Sequence, residues 1–74
     1  MTEFAWLIEV NGEYGPIYWD GGNWSSNHMR AVRFVRSIDA DRVMINLSDA
    51  DRIAGMRSVE HGWTSDEIFE KAIA

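Results

Sequence analysis

The chain contains no cysteine, a single proline and no long apolar run. Without cysteine it can form neither a disulfide nor a zinc cluster of the Cys or Cys/His type. No apolar run approaches the roughly 18 residues of a membrane-spanning segment. The N-terminal region lacks a basic segment followed by an apolar stretch, so we expect no signal peptide and a cytoplasmic location.

Aromatic residues are abundant, and they include four tryptophans in 74 residues. A chain of this length is expected to form one small domain over residues 1–74. Below roughly 70–80 residues a single core rarely supplies more than about 3–5 kcal/mol, and a further source of stability is usual. With disulfides excluded, the two remaining sources are dense aromatic packing and self-association, so a homodimer stays an open alternative.

Charge is unevenly distributed along the chain, whose net charge is −5. Residues 1–27 carry four acidic side chains and no basic one, whereas residues 28–57 carry six arginines against four aspartates. An acidic protein is repelled by phosphate backbones at long range. Direct binding to nucleic acid is therefore disfavoured, unless the arginines of residues 28–57 act as a local cluster.

Period-two alternation predicts three strands, over residues 4–10, 17–20 and 56–63. Asn11-Gly12 is a strong turn signal because both residues tolerate positive φ, so the first two strands are expected to form an antiparallel hairpin. An isolated hairpin is marginal in water, and it needs a further strand or a helix packed against it.

Three helices are predicted from apolar spacing and from N-cap residues. Ser25, Ser26 and Asn27 can cap a first helix over residues 28–36, although residues 32–35 can also be interpreted as a strand. Ser37 can cap a second helix, and Thr64 with Glu67 forms a capping box for a terminal one. The first two helices carry apolar residues at i, i+3, i+4 and i+7 spacing, and the third carries a shorter apolar stripe. In order, these stripes are Ala31, Phe34, Val35 and Ile38; Ala40, Val43, Met44 and Leu47; and Ile68, Phe69, Ala72 and Ile73.

The predicted fold class is therefore α+β, with a three-stranded antiparallel sheet, helices on one face and the order β-β-α-α-β-α. Residues 4–63 are expected to form the core of the domain, and residues 64–74 a C-terminal helical extension.

The residues that usually support catalysis or metal binding are sparse and scattered. His28 and His61 are the only histidines, and neither has a second ligand at helical spacing, so we expect no metal site. The serines are better explained as helix-start residues than as nucleophiles, and the glycines lie in turns rather than in a phosphate-binding loop. We expect no catalytic residues, no cofactor and no enzymatic activity.

The predicted sheet instead suggests a protein-binding surface. The alternation directs Trp6, Ile8, Trp19, Val59 and Trp63 toward the helices. The opposite, uncovered face would then present five partner-binding candidates, Leu7, Glu9, Tyr18, Asp20 and Glu60. Acids on a rigid sheet can engage a basic groove on a partner, although a polar sheet face that simply contacts water explains the same pattern.

Three arginines offer an alternative site. Arg30, Arg33 and Arg36 recur at three-residue steps and would share one face of the first predicted helix. Such a face could follow a phosphate backbone or bind an acidic partner, whereas a solvated face is the simpler interpretation.

Short motifs throughout residues 4–63 resemble a type of small, mostly uncharacterised phage and prophage protein. In sequence order the matching pieces are Trp6-Leu7-Ile8-Glu9, Tyr18-Trp19, Trp24, Ala31, Arg33-Phe34, Asp39-Ala40, Val43, Val59-Glu60-His61 and Trp63. The stretch from Thr64 onward departs from this pattern, which suggests an added lid or dimer contact. The resemblance implies a phage origin, and with it a location in the cytoplasm of a bacterial host, but no established activity and no site residues.

Small acidic phage proteins are often inhibitors of host machinery, and anti-CRISPR proteins are among them. By this analogy we expect a protein that binds another protein and inhibits a host defence or nucleic-acid-handling complex. Two alternatives remain open, a nucleic-acid accessory factor that uses the arginines and a homo-oligomeric structural module.

Overall fold

The computed structural model of the chain describes residues 3–64 and 67–70, with side chains for residues 3–63. It contains the strands β1 (Glu3–Gly12), β2 (Gly15–Trp19), β3 (Trp24–Ser25), β4 (Arg57–Thr64) and β5 (Glu67–Glu70). A single 3-10 turn (His28–Arg30) and the helix α1 (Ser37–Asn46) lie between β3 and β4. The strands form one antiparallel sheet in the order β3-β2-β1-β4-β5.

The predicted α+β class and the antiparallel sheet are confirmed, and the three predicted strands correspond to β1, β2 and β4, but the predicted number of strands and the predicted order of elements are wrong. Among the described residues the sheet has five strands, and two of them, β3 and β5, were not predicted. The hairpin turn lies at Glu13 and Tyr14, two residues later than the Asn11-Gly12 signal, and β1 continues to Gly12.

The predicted first helix is also wrong. Asn27 does act as an N-cap, since its side chain accepts a hydrogen bond from the amide of Met29, but it opens only the 3-10 turn. The chain then becomes extended, and Phe34 forms an antiparallel bridge to Trp6 through N–O distances of 2.7 and 2.9 Å. β2 pairs with β1 only from Glu9 onward, so this segment supplies partners for a part of β1 that β2 does not reach. The interpretation of residues 32–35 as extended chain is the one that agrees with the structure.

The C-terminal helix predicted from Thr64 is replaced by β5, which pairs with β4 along the far edge of the sheet. Over so few residues the apolar spacing of a helix cannot be distinguished from a strand. The remaining residues of the predicted extension, 65–66 and 71–74, lie outside the described part of the chain.

The second predicted helix is confirmed as α1, and its apolar stripe packs as expected. Ala40 is fully buried against Ile8 and Trp19, and the rest of the stripe, Val43, Met44 and Leu47, packs on the same cluster. Trp6 also joins this cluster, so Trp6, Ile8 and Trp19 do face the helix as predicted. We call this side of the sheet the helix face. Ser37 is not the cap, because that position belongs to Arg36, which makes no side-chain capping bond.

The opposite side of the sheet is also buried. Leu7, Tyr18, Ala31 and Trp63 form a second core cluster there, and His61 and Glu9 lie on the same side. We call this side the histidine face. Within the described residues no helix is both long and apolar enough to cross a membrane.

Candidate functional site

The predicted acidic surface is not formed. Leu7, Glu9 and Tyr18 do share one face, but all three are buried, and Glu9 is only 3% exposed. Glu60 pairs with Trp6 and therefore lies on the helix face, on the other side of the sheet. Asp20 lies beyond the end of β2 in a turn.

This error arises because the prediction assigned the residues of β4 to the wrong faces of the sheet. Val59 pairs with Leu7, so Val59 and Trp63 lie on the histidine face rather than toward the helix as predicted. Ser58 instead faces α1, where its hydroxyl donates to Asp41 at 2.9 Å. The alternation within β4 was predicted correctly. Alternation alone does not indicate which face of one strand lies on the same side of the sheet as a given face of the next strand. The pattern of β1 could not decide this, because β1 is apolar on both faces.

Asp20 has a local structural role. Its Oδ1 accepts hydrogen bonds from the backbone amides of Asn23 at 2.7 Å and of Gly22 at 3.0 Å. These donors favour the ionised form, and they lower the pKa of the Asp20 carboxyl below its usual value. The carboxylate therefore orders the turn that leads into β3.

Glu9 lies at the centre of a polar network on the histidine face. Arg57, directly opposite on β4, donates from Nη2 to Oε1 at 2.8 Å, and Nε2 of His61 lies 3.2 Å from Oε2. The imidazole form that carries a proton on Nε2 donates to Oε2 of an ionised Glu9 carboxylate. The Tyr18 ring meets the imidazole edge-on at 5.8 Å between centroids.

A carboxylate that orients an imidazole also occurs in hydrolytic active sites. Here His61 is 4% exposed and Glu9 3%, so neither group can reach a substrate from solvent in this conformation. The contact between Glu9 and His61 links β1 to β4. The two residues lie on the same face of the sheet, one on each side of the cross-strand pair Leu7–Val59. Within the described residues no three His, Asp or Glu side chains come together in a way that could hold a metal ion.

The three arginines of the alternative site do not share a helix face, because the segment that carries them is not helical. Arg30 ends the 3-10 turn, and the Arg33 guanidinium lies 4.3 Å from the ring centroid of Trp63. Arg36 forms two hydrogen bonds to Asp39, at 3.1 and 3.2 Å, which raise the pKa of its guanidinium. The predicted common helix face is therefore absent.

Three exposed apolar side chains lie in and just before α1, whereas Phe4 and Met29 are exposed in other parts of the fold. Val35 is 90% exposed, Ile38 48% and Ile45 71%. Ile38 and Ile45 are seven residues apart and so lie on one side of the helix, with Arg42 between them. We call these four residues the α1 ridge. Val35 and Ile38 were predicted to be buried, an error that follows from the incorrect first helix. Ile45 was not singled out from the sequence. Its position was a usable signal, because an isoleucine in α1 that is not part of the apolar stripe lies away from the buried side of the helix.

A small groove lies around the β1–β2 turn. It has a volume of about 270 Å³ and is lined by residues 12–17 together with Ser26. Tyr14, at the turn, is 96% exposed. We call this feature the hairpin groove.

No protein-family model matches the sequence, and no curated protein or solved structure shows a significant similarity to it.

Proposed function

We propose that this chain is a non-enzymatic protein-binding domain that contacts its partner through the α1 ridge. The observation that carries the proposal is the exposure of three large aliphatic side chains within eleven residues, Val35, Ile38 and Ile45. Single exposed apolar residues are ordinary, but clustered ones are typical of interaction surfaces.

The chemistry of the ridge defines the kind of partner. Arg36 is paired with Asp39, whereas Arg42 has no ion pair among the described side chains. An apolar strip with one unpaired guanidinium is complementary to an apolar surface that carries a carboxylate.

The expected affinity is modest. Full burial of a valine or isoleucine side chain is worth about 1.5–3 kcal/mol. Three partly exposed residues therefore contribute several kcal/mol, which is close to the lower estimate of about 4 kcal/mol for the cost of association. A stable complex thus needs the Arg42 ion pair or further contacts around the ridge.

The ridge is tested by a double substitution, Ile38→Glu with Ile45→Glu, in the tagged full chain. Both side chains point to solvent, so the fold should persist, and circular dichroism checks this. Quantitative mass spectrometry of proteins retained from a lysate of the source organism should show a loss of roughly tenfold or more in the specific partner. Met29→Glu changes an exposed apolar residue outside α1 and should leave retention unchanged. Equal retention by the wild type and the double variant would contradict the proposal.

The biological setting remains a proposal that rests on the sequence resemblance and on analogy. In this version the protein is encoded by a phage or prophage, and its partner belongs to a host defence or nucleic-acid-handling complex. The identity of a partner retained through the ridge would test this version. A partner with no link to such a complex would argue against it.

A further inference from the structure

The hairpin groove has the chemistry of a site for one long basic side chain. Its volume of about 270 Å³ is below the roughly 300–1,000 Å³ of small-molecule pockets, so it suits a single side chain better than a whole ligand. Pro16 and Ile17 supply apolar walls, Tyr14 an aromatic ring and Glu13 the only charge of its lining. An arginine or lysine presents an apolar stem with a cationic end, and the cation is attracted both to an aromatic face and to a carboxylate.

A partner that adds a strand to the edge of β2 suits this region less well than a partner that inserts a side chain into the groove. β3 pairs with β2 only opposite Tyr18 and Trp19, so within the described residues β2 lacks a strand partner on that side at Pro16. Proline has no amide hydrogen to donate, and its presence is a common means of protecting an exposed strand edge. Recognition at the groove therefore depends on side chains.

The protein itself carries a side chain that fits the groove. Arg42 projects from the α1 ridge without an ion pair among the described residues, and Ile38 and Ile45 flank it. The charges at the two surfaces are complementary, because Glu13 is the charged residue in the lining of the groove and Arg42 is the charged residue of the α1 ridge.

We propose that the hairpin groove of one copy receives Arg42 of a second copy. The guanidinium meets Glu13 and the Tyr14 ring, and the flanking isoleucines cover the apolar wall. The contact joins two different surfaces, so a pair of copies keeps one free groove and one free ridge, and assembly continues until a ring closes or a filament grows. This inference rests on the proposed function, because it names a partner for the same ridge.

Charge reversal at both surfaces tests the inference. Sedimentation velocity of the full chain, from micromolar to millimolar concentration, should show association of the wild type. Glu13→Arg alone and Arg42→Glu alone should each weaken association by roughly a hundredfold, since each creates a like-charge contact. An equimolar mixture of the two variants should associate again, because each groove then faces a ridge of opposite charge.

Matched controls separate this contact from a general effect of charge. Glu3→Arg and Arg30→Glu make the same charge changes at exposed positions outside the groove and the ridge, and both should associate like the wild type. Thermal unfolding followed by circular dichroism establishes that each variant is folded. If a variant is unfolded, Tyr14→Ala replaces it, with loss of association expected.

A wild type that stays monomeric at every concentration would overturn the inference, and so would a mixture that associates no better than its components. In either case the ridge is judged separately. If Ile38→Glu with Ile45→Glu still abolishes capture of a different protein, the proposed function stands and only the second copy is ruled out as the partner.

Discussion

Glu9 is the residue whose environment differs most from its expected one. A lone glutamate in an apolar strand suggested a solvent-facing position, yet the side chain lies inside the protein with Arg57 and His61. Charged groups are rarely buried unless they are paired, and here the pairing comes from a strand 48 residues away along the chain. Sequence alternation cannot reveal such a partner.

Replacing Glu9 with glutamine tests whether this network stabilises the fold. The change keeps the shape but removes the charge, so we expect the free energy of unfolding to fall by about 2 kcal/mol, the scale of hydrogen bonds to a charged group. Urea unfolding followed by tryptophan fluorescence measures the difference. Glu3→Gln, at an exposed position of the same strand, should change stability by less than about 0.5 kcal/mol. Equal stability of the two variants would mean that the buried contacts of Glu9 make no net contribution to the free energy of unfolding.

At the scale of single elements, a sequence pattern predicted the structure correctly where the pattern within the element itself was enough to identify its buried side. The stripe Ala40, Val43, Met44 and Leu47 is long enough to identify α1 and its buried side. The segment at residues 32–35 fits a helical stripe, and it can also be interpreted as a strand. Its pairing with β1 at Trp6 selects the extended form, and that choice depends on a distant strand.

The β1–β2 turn depends on the absence of a side chain at Gly12. A Cβ atom there would lie 2.8 Å from the carbonyl oxygen of Gly15, a backbone atom that cannot move without altering the turn. We expect Gly12→Ala to destabilise the protein by more than about 1 kcal/mol and to distort the hairpin groove. Thermal unfolding measures the stability.

Gly22→Ala is the matched control for this change. A Cβ atom at Gly22 meets nothing within 4 Å, and its φ is not positive. We therefore expect a stability equal to that of the wild type, or higher by about 0.4–1 kcal/mol because the unfolded chain loses freedom. If Gly12→Ala were as stable as Gly22→Ala, the close approach within the turn would be without consequence.

At the scale of the whole molecule, a central strand that is buried on both faces explains what the sequence could and could not predict. Trp6 and Ile8 face α1, while Leu7 and Glu9 face the second cluster. The class of fold and the helix-side positions of Trp6, Ile8 and Trp19 follow from local patterns, whereas Val59 and Trp63 were assigned to the wrong side. The placement of the polar and apolar surface does not, because it depends on how the strands are matched across the sheet.

The central claim is that the isoleucines of the α1 ridge are open to solvent in the isolated chain and become covered on association. Relaxation of isoleucine methyl resonances by a soluble paramagnetic agent, measured as a function of protein concentration, tests it most directly. We predict strong relaxation of Ile38 and Ile45 at high dilution, with Ile8 protected, and a decrease at the two ridge residues as concentration rises. Protection of Ile38 and Ile45 equal to that of Ile8 at high dilution would contradict the account.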